Sequence, residues 1–285
     1  MLGVIDVGGG MRDIYGAGIF DYCLEHNLYF DYFIGVSAGS ANGTAYIAKQ
    51  AHRNYDFYTK YSTRKEYMSF HNLITKGNYI DLDYIYGTLT NEDGEYPLDY
   101  KAFMENPCDI EIIATEAITG EATYFQKEDI QENKYDFLKM SSCVPVINQP
   151  YPYKDHVYYD GGLSNPIPYQ YAFDKGCDFV VIVLTRPKHQ MRLYKKDSFL
   201  ASFIPRQYPG TIEALCNRAY LYNTQLASAL LLEEEKKVLI LAPDDIGDLQ
   251  PLTIDQEALD QLYHKGYNDA KALEEVFQKY GKKSG

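Results

Sequence analysis

The sequence predicts an α/β protein in which a mostly parallel sheet is covered by helices on both faces. Three observations lead there. Apolar runs of strand length alternate with helix-length segments along the chain. No repeat, low-complexity tract or Pro/Gly/Ser-rich linker divides the 285 residues, so a single domain over 1–285 is expected. The glycine clusters "GGG" (8–10), "GVSAG" (35–39) and "DGG" (160–162) come directly after strand-like runs, where such a sheet opens its ligand crevice.

Taken in order, "LGVIDV" (2–7) is the first strand and leads to a helix over 13–26. "DYFIGV" (31–36) is the second, followed by a helix over 38–60. Residues 61–105 read as a tyrosine-rich insertion, helical or irregular, that caps the domain. "DIEIIAT" (109–115), a helix over 127–140, "VYYD" (157–160), a helix over 167–176 and "DFVVIVLT" (178–185) come next. The rest, 186–285, is expected as a helical extension with one further strand, "KVLILAP" (237–243), after a helix over 208–235. In the terminal helix over 255–280, Leu259, Leu262, Tyr263, Ala270, Leu273 and Phe277 recur at helical spacing, and Gly266 marks a break.

Composition narrows the function. With 27 basic and 40 acidic residues, the net charge of -13 argues against nucleic acid, which needs clustered cations to neutralise phosphates. It equally disfavours binding to anionic membranes through overall charge. Residues 186–206 are a local exception: Arg186, Lys188, Arg192, Lys195, Lys196 and Arg206 are interleaved with Phe199, Leu200, Phe203 and Ile204. A solvated helix face is the expected reading; transient contact with lipid is the sharper alternative. No apolar run is long enough to span a bilayer, no secretory signal opens the chain, and the five scattered cysteines read as reduced core residues. Cytoplasm is the expected location. Of the 29 tyrosines, many fall between Tyr46 and Tyr100, where they are expected mainly to cover the sheet, with a pocket lid as the alternative.

The motifs carry the chemistry. In "DVGGGMRD" (6–13) three consecutive glycines can expose backbone N–H groups to an anion, or simply make a tight turn. The dinucleotide pattern G-x-G-x-x-G fails because its third glycine falls at Asp13, and no Gly-Lys-Ser/Thr is present for a P-loop. "GVSAG" fits G-x-S-x-G: at a strand-to-helix turn Gly35 and Gly39 permit the bend and Ser37 stands exposed, with the Ala38 N–H able to donate to an oxyanion. No histidine lies at a glycine-marked strand end to serve as its base. "VYYDGGLSNPIP" (157–168) offers Asp160 instead, and Gly161 and Gly162 let the chain leave the strand abruptly beside that carboxylate.

"GGGMR", "GVSAG", "ATEAITGEATYF", "MSSCVPVI" and "YYDGGLSNPIP" occur in this order over about residues 1–187, and the chain thereby resembles the patatin-like phospholipase family, most closely its bacterial subgroup. The resemblance implies a three-layer α/β/α patatin-like fold and a Ser–Asp dyad, with Ser37 as nucleophile, Asp160 as base and Gly8, Gly9 and Gly10 as oxyanion hole. It implies a serine lipid acyl hydrolase of phospholipase, lysophospholipase or esterase type. A non-catalytic lipid- or acyl-binding protein, or an acyltransferase on the same dyad, are the alternatives. No cofactor and no metal are expected. Arg12 fits the family pattern and is expected to pair with an acid and brace the loop. Asp13 departs from it, standing where the family carries glycine; as a first helical residue it would favour the helix dipole.

Overall fold

In the computed structural model, which describes residues 1–281, the strands are β1 (Leu2–Asp6), β2 (Tyr32–Val36), β3 (Asp109–Glu116), β4 (Ala122–Gln126), β5 (Tyr151–Tyr153), β6 (His156–Asp160), β7 (Phe179–Val183) and β8 (Val238–Leu241). The helices are α1 (Ile14–Glu25), α2 (Ala38–Ile47), α3 (Arg53–Thr59), α4 (Phe70–Lys76), α5 (Tyr100–Glu105), α6 (Asp136–Ser141), α7 (Tyr169–Asp174), α8 (Tyr194–Ala201), α9 (Pro209–Glu234), α10 (Gln256–Asp269) and α11 (Leu273–Tyr280). The sheet runs β5-β6-β3-β2-β1-β7-β8, with β4 also paired to β3. Strands β3, β2, β1, β7 and β8 are mutually parallel.

Alternation along the central strands makes the layers. Val4, Phe33, Ile112, Val181 and Val183 point into one apolar cluster, with Ile14, Ile19 and Phe20 of α1 and Leu259 and Leu262 of α10. Their neighbours Ile5, Ile34, Ile113, Val180 and Ile182 point into the other, with Ala172 of α7 and Tyr222, Leu226 and Ala229 of α9. Both faces are therefore buried, which is why these strands read as continuous apolar runs. The arrangement is a three-layer α/β/α sandwich.

Several boundaries differ from the expectation, each for a local reason. The helix expected over 38–60 is broken, because Lys49 and His52 both take positive φ (57° and 61°). The Asp21 carboxylate accepts the His52 N–H at 2.8 Å and holds α3 away from the line of α2. Strand "VYYD" belongs to β6, which runs antiparallel to β3, with Asp160 opposite Ala114. Strands β4 and β5 were not expected. The terminal segment breaks at Ala270–Ala272 rather than at Gly266.

Gly266 serves packing instead. A Cβ there would lie 2.0 Å from the Tyr15 carbonyl oxygen, and one at Gly18 would lie 2.2 Å from the Tyr263 carbonyl oxygen. The two glycines let α1 and α10 meet backbone to backbone. Gly266→Ala is expected to cost about 1–3 kcal/mol through the forced backbone shift. Thermal unfolding reads this, and an unchanged melting temperature would contradict the close approach.

Candidate active site

Ser37 lies between the end of β2 and the start of α2, with φ 57° and ψ −130°. Such a conformation costs a serine on the order of 1–3 kcal/mol and persists only where the surroundings over-determine it. Here they do. The Ser37 N–H donates to Ser141 Oγ at 2.9 Å, Ser141 Oγ also meets Ser40 Oγ at 3.0 Å, and the Ser40 N–H donates to the Ser37 carbonyl at 3.0 Å. Gly35 and Gly39 are small because the elbow folds onto itself: their Cβ atoms would lie 2.5 Å from Ser40 Cα and 2.4 Å from the Asp6 carbonyl oxygen.

The glycine loop packs directly against this elbow. Gly8, Gly9 and Gly10 all take positive φ (66°, 153° and 62°). A Cβ on Gly8 would fall 2.3 Å from the Val36 carbonyl oxygen and 3.0 Å from the Ala38 nitrogen. Thr185 donates to the Gly8 carbonyl at 2.6 Å, and the Met11 N–H donates to the Pro251 carbonyl at 2.8 Å. The Gly8 N–H is committed to the Asp6 carboxylate at 3.1 Å, so Gly8 supplies room rather than a donor. The N–H groups of Gly9, Gly10 and Ala38 donate to no acceptor among the described residues, and all three residues line one cavity.

Beneath the loop lies a buried polar cluster. Asp6 also accepts from Asn42 at 3.0 Å. Asp13, expected to serve the helix dipole, instead turns inward. Both its oxygens are buried without a hydrogen-bond partner among the described residues, with the Asp6 carboxylate and Asn42 nearby. Burial, and then the charge of Asp6, push the Asp13 pKa well above the ordinary carboxylate range; burial raises Asp6 to about 6. Burial and the neighbouring Asp6 charge thus both favour the neutral form of Asp13 and oppose a negative charge beneath the loop. Arg12 finds no acid to pair with: its Nε is buried without a partner.

Asp160 reaches the elbow from β6. Its N–H donates to the Cys143 carbonyl at 2.8 Å, and its carbonyl accepts from Thr115 Oγ1 at 2.8 Å. The Gly162 N–H donates to Asp160 Oδ1 at 2.8 Å, and the Ser37 side chain lies near enough to the same carboxylate to lower its pKa. A Cβ on Gly161 would lie 2.2 Å from the Ile113 carbonyl oxygen, so the abrupt exit from the strand needs that glycine. Burial raises the Asp160 pKa; Ser37, the bond from Gly162 and the charges of Arg218 and Arg192 restrain it.

Ser37, Ala38, Asp160, Gly162 and the three loop glycines open into a cavity of about 720 Å³, within the range of small-molecule sites. One arm is apolar. Tyr58, Tyr61, Tyr67, Tyr86 and Tyr96 line it. The other arm is cationic, lined by Arg12, Arg186, Arg192 and Arg218. Among the described residues no histidine lines the cavity. A hydroxyl beside a carboxylate, with amides that meet no acceptor among the described residues, is equipment for attack on a carbonyl and for holding the oxyanion that results.

The model of the patatin-like phospholipase family matches residues 7–173. The chain belongs to the patatin-like phospholipase family. A second model, of a domain of unknown function, matches residues 208–281. The uncharacterized protein YjjU of Escherichia coli (strain K12) is 25% identical over 193 residues, 63% of this chain and 50% of that protein. The chain thus spans about half the length of the curated relative it matches. VipD from Legionella pneumophila aligns over 96% of this chain and 66% of its own, with 14% identity and a TM-score of 0.49. The patatin-like segment ends before Arg186, so residues C-terminal to it build most of the cationic arm.

Sequence reasoning found the residues of both glycine motifs and Asp160, and missed Ser141, Thr185 and Pro251, which fix them. Ser141 lies within "MSSCVPVI", and nothing in its spacing marks it as the partner of the elbow N–H. Arg186 and Arg192 were visible only as part of a basic surface stretch. The geometry has two measurable outcomes. Glycine tolerates positive φ and alanine does not, so Ser37→Gly is expected to be about 1 kcal/mol more stable than Ser37→Ala in urea unfolding. Equal stabilities would contradict the strained elbow. Asp6 and Asp13 bind protons more tightly folded than unfolded, so they cost stability as pH rises from about 4 through 6 and beyond. Asp13→Asn, which cannot titrate, is expected to exceed the wild type by about 1 kcal/mol at pH 8 and to lose that advantage by pH 4.

Proposed function

We propose that the protein is a serine lipid acyl hydrolase, a carboxylic-ester hydrolase working through Ser37 and Asp160. The observation that carries this reading is that Ser37 and Asp160 line one cavity, with the Ser37 side chain near enough to the Asp160 carboxylate to hold its pKa down, beside Gly9, Gly10 and Ala38, whose N–H groups meet no acceptor among the described residues. Asp160 takes the Ser37 proton as Oγ attacks the ester carbonyl, and the oxyanion is held by those amides. Collapse expels the alcohol, which takes the proton from Asp160, and leaves the acyl group on Ser37. Water then repeats the sequence with Asp160 again as base.

The raised pKa of Asp160 suits the role, since an ordinary carboxylate near 3.9 is a weak base. The apolar arm accepts an acyl chain. Met191 and Leu193, which line the cavity, and the nearby Phe199 and Phe203 are exposed, which supports transient contact of 186–206 with a lipid surface. Arg186 and Arg192 of that stretch do not share in it, because they line the cavity, whereas Arg206 is exposed. The non-catalytic alternative drew on Asp13, which is buried and does not line the cavity, so that hint does not bear on the anion site.

Hydrolysis of a monomeric short-chain ester tests the reading. Ser37→Ala is expected to abolish turnover, and Asp160→Asn to lower kcat by about 10²–10⁴ while the fold is retained. The wild-type rate should fall on acidification with a midpoint above the ordinary aspartate value, because Asp160 must be ionised to act. Full activity in Asp160→Asn would refute the dyad.

A further inference from the structure

The cationic arm of the cavity is more than a rim. Arg12 leaves the glycine loop, Arg186 comes after β7, Arg192 precedes α8, and Arg218 lies one turn before Tyr222 on α9. Arg218 is fixed by a two-pronged pair with Asp197, its Nε at 3.1 Å from Oδ2. Arg192 is held through its backbone, which exchanges hydrogen bonds with the Asn223 amide at 2.8 and 3.1 Å, and its guanidinium lies 5.3 Å from the Tyr222 ring centre. Its nearest anion is Asp197, 3.9 Å away. Arg12 and Arg186 have neither ion pair nor side-chain hydrogen bond among the described residues.

Such crowding is unfavourable without a ligand. Burial first, and then neighbouring guanidinium charge, lower Arg192 to about 9 and Arg12 to about 10. The acids lining the cavity are Asp197 and Asp160, so among its lining residues four guanidinium groups of this cluster face two carboxylates. Lys196 at the exposed edge adds to the excess. Arg53 also lines the cavity, but its donors are spent on the Pro97 carbonyl and Thr90. Arginine forks fit phosphate oxygens in pairs, and a phosphomonoester carries close to two negative charges at neutral pH.

We propose that Arg186, Arg192 and Arg218, with Arg12 at their base, bind the dianionic phosphomonoester headgroup of a lipid whose acyl ester lies at Ser37. This rests on the hydrolase reading and adds to it the class of substrate. A choline-capped phosphodiester fits poorly. Its cation would enter a positive field in which Asp197 is taken by Arg218 and Asp160 by Ser37 and Gly162. The field is local; the overall charge of -13 does not reveal it.

Calorimetric binding to the Ser37→Ala protein tests this without turnover, so its outcome does not depend on whether Ser37 is the nucleophile. The probes are a monoacylglycerol phosphate, the matching monoacylglycerophosphocholine and the uncharged monoacylglycerol, all with one acyl chain and below micelle-forming concentration. The phosphomonoester is expected to bind at least about tenfold more tightly than either, the effect of one or two charge-assisted hydrogen bonds. Its advantage should grow from pH 5 to pH 7, as its second proton, with a pKa of about 6, is lost. Arg186→Gln and Arg192→Gln, made separately, should each remove most of that advantage, whereas Arg192→Lys should keep part of it. Inorganic phosphate should compete only weakly. Equal binding of the three lipids, preference for the choline lipid, an advantage unaltered in both glutamine variants, or inorganic phosphate binding as tightly as the phosphorylated lipid would each overturn the proposal.

Discussion

The whole site depends on one close approach: the glycine loop lies so near the elbow that no side chain fits at Gly8. Strands β1 and β2 are adjacent and parallel, so both chains leave the sheet at the same edge and in the same direction. That topology brings the two turns together, and the missing Cβ of Gly8 lets them touch. The Asp6 carboxylate takes up the Gly8 N–H, while Gly9 and Gly10, whose N–H groups meet no acceptor among the described residues, line the cavity. Oriented amides in a confined space are effective because their dipoles are fixed before charge develops.

Three separate parts of the chain hold this arrangement. Ser141 of α6 secures the elbow N–H, Thr185 after β7 secures the Gly8 carbonyl, and Pro251 anchors the far end of the loop. Asp160 comes from the antiparallel side of the sheet, its backbone bonded to Cys143 and Thr115. The C-terminal region contributes as well: α9 packs on one face of the sheet, Pro251 holds the loop, and Arg186, Arg192 and Arg218 line the cavity. The cavity is divided accordingly, with an apolar arm under the tyrosine-rich segment and a cationic arm against α9.

The central strands were legible in the sequence because burial on both faces writes them as unbroken apolar runs. The elbow and the loop were legible because their conformations exclude most side chains, and that exclusion is local. Strand direction was not: "VYYD" has the same composition in either orientation, and only its pairing with β3 decides. Asp13 misled for a similar reason. A helix-capping residue and a buried one look alike until Asp6 and Asn42 are brought beside it. The arginines were counted as surface charge because α9, which turns them inward, lies far away in sequence.

The most direct measurement is an experimental structure of the protein carrying a phosphonate bonded covalently to the Ser37 oxygen, which mimics the tetrahedral intermediate. The account predicts its phosphoryl oxygen within hydrogen-bond distance of the Gly9, Gly10 and Ala38 nitrogens, with the Asp160 carboxylate beside Ser37 Oγ. A phosphoryl oxygen turned to solvent, or an adduct formed at another residue, would contradict it.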